Sequence, residues 1–109
     1  MSRPTATPEP PYWAVVFTST RRGDDPGYES TARRMVELAC EQDGFLGVES
    51  ARGTDGLGVT VSYWRDEEAI AAWKNHAEHT AARERGRREW YASFRVRICR
   101  VERAYGMEG

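Results

Sequence analysis

Two histidines, His76 and His79, are the only imidazoles in this chain, and both fall in a stretch crowded with aromatic side chains. Trp64 closes an apolar run (GVTVSYW), and Trp73 precedes His76 by three residues. Arg87, Trp90 and Tyr91 follow through a polar segment (ARERGRREWY). Indole, imidazole and phenol groups concentrated where a strand end, a helix and a strand start converge suit an apolar pocket for a flat organic molecule, with a few polar groups to orient it. In such a pocket an imidazole, His79 or His76, can hold a phenol or take its proton. Trp73, Trp64 and Phe17 would grip the ring and exclude water, and Arg87 could bind a carboxylate or phenolate.

Each residue also has a plainer role. Trp73 lies inside an apolar helical stripe and would pack a core equally well. His76 could be a satisfied, partly buried imidazole. Arg87 could be a solvated charge, Trp64 strand-end packing, and Trp90 and Tyr91 core or dimer aromatics. The His-x-x-His spacing is compatible with a metal, but no cysteine or third histidine stands near it, so no metal site is expected. Nucleophilic and phosphate-loop chemistry are not indicated: GTDGLG lies between strands rather than before a helix.

The elements that must position these groups read from periodicity. Trp13–Ser19 is a strand with Trp13, Val15 and Phe17 on one face. Gly27–Gln42 is a helix whose stripe is Tyr28, Ala32, Met35, Val36 and Ala39, stopped by Asp43-Gly44. Phe45–Ala51 and Leu57–Trp64 form a hairpin around GTDG. Asp66 caps a second helix that buries Ala69, Ile70, Trp73 and Ala77. A last strand, Trp90–Tyr105, puts Ala92, Phe94, Val96 and Ile98 on one face and Tyr91, Ser93, Arg95, Arg97, Cys99 and Val101 on the other. The order β-α-β-β-α-β predicts an α+β, ferredoxin-like domain: a four-stranded antiparallel sheet with two helices on one face. Its second face, with Val16, Cys99, Val101 and Tyr91 beside Thr18, Thr60 and Ser62, is too apolar to leave wet. A face-to-face homodimer is therefore expected.

At 109 residues the chain is one domain, with residues 1–11 (MSRPTATPEPP) as a loose, flexible arm and 12–109 as the folded unit. A net charge of −1 gives no electrostatic reason to expect nucleic acid or an anionic membrane as partner. No apolar run approaches the roughly 20 residues of a membrane span, and no secretory leader is evident. Cys40 and Cys99 have neither metal nor redox spacing; buried free thiols in a reducing, cytoplasmic setting are expected.

The segments GFLG (Gly44–Gly47), VSYW (Val61–Trp64) and EEAIAAW (Glu67–Trp73), with His79 downstream, resemble the antibiotic biosynthesis monooxygenase family of the dimeric α+β barrel superfamily. His76–Tyr91 and Arg95–Tyr105 are similar to an uncharacterised bacterial branch of it. The resemblance spans Tyr12–Tyr105 and implies two kinds of activity. One branch oxidises aromatic polyketides with molecular oxygen and no metal or flavin. Another binds haem and opens its ring, using a strand-one Asn, a helix Trp and a His ligand. Trp73 matches that Trp, whereas the ligand position is Arg83 and the Asn position falls at Phe17 or Thr18. The leading expectation is a cofactor-independent monooxygenase acting on an aromatic or quinonoid metabolite. A haem-binding protein and a non-catalytic module for a hydrophobic metabolite are the alternatives.

Overall fold

The computed structural model of the chain describes residues 3–21, 26–83 and 91–107, with the side chains of residues 26–31 and 79–83 outside that description. Six elements follow in the expected order: β1 (Tyr12–Arg21), α1 (Pro26–Cys40), β2 (Phe45–Arg52), β3 (Leu57–Trp64), α2 (Glu67–Arg83) and β4 (Tyr91–Val101). The strands form one antiparallel sheet in the order β2-β3-β1-β4. This is the predicted ferredoxin-like α+β arrangement.

Local chemistry explains the element ends. After α1, Glu41 and Gln42 donate to the carbonyls of Leu38 and Ala39, and Gly44 turns the chain at φ 86°. A side chain there would run into Ala69 on α2, so glycine also permits the close approach of the two helix-end loops. Asp66 caps α2: its Oδ1 accepts the Ala69 N–H at 2.8 Å, which together with Arg65 holds the carboxyl below the usual range. Arg65 also bonds Asp43 at 3.0 Å and donates its backbone N–H to Gly44 O, tying the two loops together.

Strand register sorts the side chains onto two faces. Trp13, Val15, Phe17 and Ser19 of β1 share the helix-facing side with Trp64, Ser62, Thr60 and Gly58 of β3 and with Arg100, Ile98, Val96 and Phe94 of β4. The core sits at one end of that side. Ala39, Trp64, Ala69 and Ile70 are buried there, with Trp13, Val15, Phe45 and Trp73 packed against them.

Three sequence expectations change. Thr60 and Ser62 pair with Phe17 and Val15, so they lie under the helices rather than on the second face. That second face carries Leu57, Val59, Val61 and Tyr63 from β3 and is more apolar than expected. Tyr91 also changes sides. Ala92 is an extra residue between the pairs Thr20–Ser93 and Arg21–Tyr91, and this bulge turns the Tyr91 ring towards Phe17. Finally, Cys40 and Cys99 are free but exposed, because one occupies the last position of α1 and the other the open sheet face.

The N-terminal segment crosses the edge of the second face. Thr5 donates its N–H to Glu49 Oε2 (2.8 Å) and its hydroxyl to Val48 O (2.9 Å), and the Thr7 hydroxyl lies 2.8 Å from Tyr12 Oη. Gly47 makes room for this contact, since a Cβ there would occupy the space of the Thr5 methyl. Glu49 also accepts the Tyr63 hydroxyl at 2.6 Å.

Candidate functional site

Four rings run in a row from the sheet onto α2. Phe45 meets Trp64 edge-on at 5.4 Å, Trp64 stacks with Trp73 at 6.1 Å, and the Trp73 ring lies 5.8 Å from His76 at 31°. Spacing on α2 creates the outer half of the row: Trp73 and His76 are three residues apart and therefore neighbours on one helix face. Trp64 is 0% exposed and its indole N–H is donated to Ser62 Oγ at 2.8 Å. It therefore has neither surface nor a spare donor for a ligand, and belongs to the core behind the site rather than to its lining. Trp73 and His76 are half-buried.

His76 carries the chemical signal. Its Nε2 is buried and has no hydrogen-bond partner among the described residues. A ring nitrogen is a donor or an acceptor according to tautomer, and burying it unpaired costs about 1–3 kcal/mol. His79 lies one turn further along α2, with its side chain outside the description, and Arg87 and Trp90 are likewise outside the described residues.

A second aromatic group occupies the helix-facing side of β1 and β4. Phe17 stacks on Phe94 at 5.5 Å and meets Tyr91 edge-on at 5.5 Å; Tyr91 and Phe94 are 6.3 Å apart. Phe17 is the register partner of Thr60, whose hydroxyl lies 2.8 Å from that of Ser50. Thr60 lies four positions before Trp64, so the two aromatic groups stand about 13 Å apart along the sheet. Between them the floor is Val15, Ser62 and Thr60, apolar with hydroxyls along one side.

An open groove of about 420 Å³ lies one helix face round from Trp73 and His76, between α2 and β4, lined by Glu67, Glu68, Ile70, Ala71, Lys74 and Ile98. It shares Ile70 with the core but does not include the imidazole. No cluster of three or more potential metal ligands occurs among the described residues.

The structure thus brings together Trp73, His76 and, behind them, Trp64; it joins Phe17 to Tyr91 elsewhere on the same side. Sequence reasoning missed Ser50, Thr60, Ser62 and Phe94. Counting back by twos from the buried Trp64 would have assigned Ser62 and Thr60 to its face.

The family model described as antibiotic biosynthesis monooxygenase matches residues 11–85. The uncharacterised protein YqjZ of Bacillus subtilis is 57% identical over 97 residues, covering 89% of this chain and 85% of that protein. A jasmonate monooxygenase of Pyricularia oryzae is 28% identical over 94 residues, covering 82% of this chain but 43% of the larger relative. Among solved structures, SnoaB, a cofactor-independent oxygenase from Streptomyces nogalater, superposes with a TM-score of 0.71 at 17% identity, covering 87% of this chain and 97% of that one. The chain belongs to the antibiotic biosynthesis monooxygenase family.

Proposed function

We propose that this protein is a dimeric, cytoplasmic monooxygenase that oxidises an aromatic or quinonoid metabolite with molecular oxygen and no bound cofactor. The observation that carries this reading is the buried Nε2 of His76, without a hydrogen-bond partner among the described residues, beside the half-buried indole of Trp73. An imidazole nitrogen with no partner among the described residues, set against an aromatic wall, suits a substrate hydroxyl. Family membership and the cofactor-independent SnoaB relative support oxygen as the co-substrate.

In this mechanism the imidazole of His76, or of His79 one turn on, takes a phenolic proton. The resulting electron-rich anion passes an electron to oxygen, and recombination forms the new carbon–oxygen bond. For a ring CH₂ oxidised to a carbonyl, the substrate gives four electrons; one oxygen atom enters the product and the other leaves as water. Trp73 holds the ring beside the imidazole, and Phe17 and Tyr91 line the far end of the same sheet face; Arg87 and Trp90 are candidates from the sequence alone, outside the described residues. The protein contributes orientation and exclusion of water. A face-to-face pairing of sheets through Val16, Val59 and Val61 makes the dimer.

Haem binding is the second reading, favoured by the same ring nitrogen, which would be the residue to hold the iron. The other residues fit that branch poorly: Phe17 faces the helices, Thr18 the opposite side of the sheet, and Arg83 occupies the usual ligand position.

Oxygen uptake on hydroxylated polycyclic aromatics tests the proposal. His76→Ala should lower turnover about 10²–10⁴-fold, the scale for losing an acid–base group, with His79→Ala measured beside it. Unchanged turnover in both variants refutes the assignment. A Soret shift on haem titration that vanishes in His76→Ala favours the second reading instead.

A further inference from the structure

One arginine lies across the helix-facing side of the sheet. Arg52 is the last residue of β2, and the register places it in one row with Gly58 of β3, Ser19 of β1 and Phe94 of β4. Its guanidinium passes over Gly58 to reach Ser19, two strands away: Nη2 donates to Ser19 Oγ at 2.9 Å, and Nη1 donates to the Gly56 carbonyl. The missing side chain at Gly58 opens this path, because a Cβ there would stand 2.6 Å from Arg52 Cζ. Ser19 is buried, whereas Arg52 itself stays exposed. Both of these acceptors are neutral, so they aim the guanidinium without cancelling its charge. A charge aimed in advance binds an anion more tightly than one that must first be ordered.

We infer that Arg52 is the anion anchor of the site, and that the ligand carries a carboxylate at the end away from His76. This rests on the aromatic-ligand reading above and narrows it to an acid. The next row along the strands is Val96, Phe17, Thr60 and Ser50, so the guanidinium borders the Phe17–Tyr91–Phe94 group. The floor is divided lengthwise. Val15 and Phe17, with the exposed Val96 and Ile98, make its β1–β4 half apolar, while Ser62, Thr60 and Ser50 line the β3–β2 half with hydroxyls. Gly58 lies six positions before Trp64, about 20 Å along the strand. Helix α2 starts at the Trp64 end and runs back, since the chain re-enters the sheet at Tyr91 opposite Arg21. Six residues of helical rise carry His76 about 9 Å past Ile70 on that way. The remaining gap of roughly 10 Å suits a ligand of two or three fused rings ending in a carboxylate. One end meets the imidazole and the other the guanidinium.

Quenching of tryptophan fluorescence tests this on the full chain without turnover, using anthraquinone-2-carboxylate and its uncharged carboxamide as probes. The acid should bind the parent chain about tenfold more tightly than the amide. Arg52→Gln should remove that preference and leave the amide affinity unchanged, which also shows that the fold is intact. Arg52→Lys should restore only part of it, because an ammonium lacks the planar fork. Gly58→Ala keeps the charge but displaces the guanidinium from Ser19, and should lower the preference as well. Where Arg52→Gln loses the amide too, Gly58→Ala decides. Equal binding of acid and amide to the parent chain overturns the anchor and leaves the aromatic-ligand reading standing. A preference that survives both Arg52→Gln and Gly58→Ala also overturns the anchor, by assigning the anion to another cation. Quenching by neither probe overturns the aromatic-ligand reading and the anchor with it.

Discussion

Replacing Ser62 with Ala tests the ring row at its buried end. Ser62 Oγ accepts the Trp64 indole N–H at 2.8 Å, and Trp64 is inaccessible to water. Removing the acceptor therefore strands a buried donor, which costs about 1–3 kcal/mol, rather than exchanging one bond for a bond to solvent. For a domain of this size each kcal/mol is worth roughly 4–8 °C in Tm. Urea denaturation followed by tryptophan fluorescence, at one fixed protein concentration, measures the loss. The control is Trp64→Phe, which keeps a ring against Phe45 and Trp73 but has no N–H. In that background Ser62→Ala should cost almost nothing, so the double-mutant cycle should return a coupling of about 1–3 kcal/mol. A coupling below about 0.5 kcal/mol, within the scatter of independent sites, would mean that the indole finds another partner. The row from Phe45 to His76 would then not be anchored as described.

Asp66→Ala should lower the Tm by uncapping α2, and Asp66→Asn should recover most of the loss in thermal melts; equal losses would exclude capping as the cause. The Tyr63–Glu49 pair gives a pH dependence at both extremes. Burial, then the bond to Glu49, pushes Tyr63 up to about 12 from 10.0, so its share of stability is intact below pH 10 and disappears as pH rises towards 12. Glu49 is held below its ordinary 4.5 by Tyr63 and the Thr5 N–H, so its share is present above that value and disappears as pH falls below it. Tyr63→Phe should therefore flatten the alkaline limb relative to the parent chain in chemical denaturation; parallel limbs would contradict the assignment.

Much of the fold is legible in the sequence because the patterns are local. Strand β3 runs from Leu57 to Trp64 as read, since its flanks are a glycine-rich turn and a helix cap. The end of β4 was not legible in the same way. Alternation continues to Tyr105, but a strand stops where its neighbour stops, and Val101 is the register partner of Tyr12, the first residue of β1. The side of Tyr91 depends on one unopposed residue, Ala92, which alternation alone cannot reveal. Thr60 and Ser62 lie under the helices rather than on the apolar second face, because they alternate in step with Trp64. The candidate site was legible as a segment of α2. The distinction between Trp64, sealed in the core, and His76, whose Nε2 has no partner among the described residues, belongs to tertiary packing.

The contact at Gly47 makes the leading segment readable in other chains of this kind. Thr5 occupies the space that a side chain at position 47 would need, so the two cannot both be present as they stand. A relative with a bulkier residue there must route its leader elsewhere, leaving Tyr12 and Tyr63 uncovered at the sheet margin. The size of that one residue then forecasts whether the first amino acids lie tucked against the body or hang away from it.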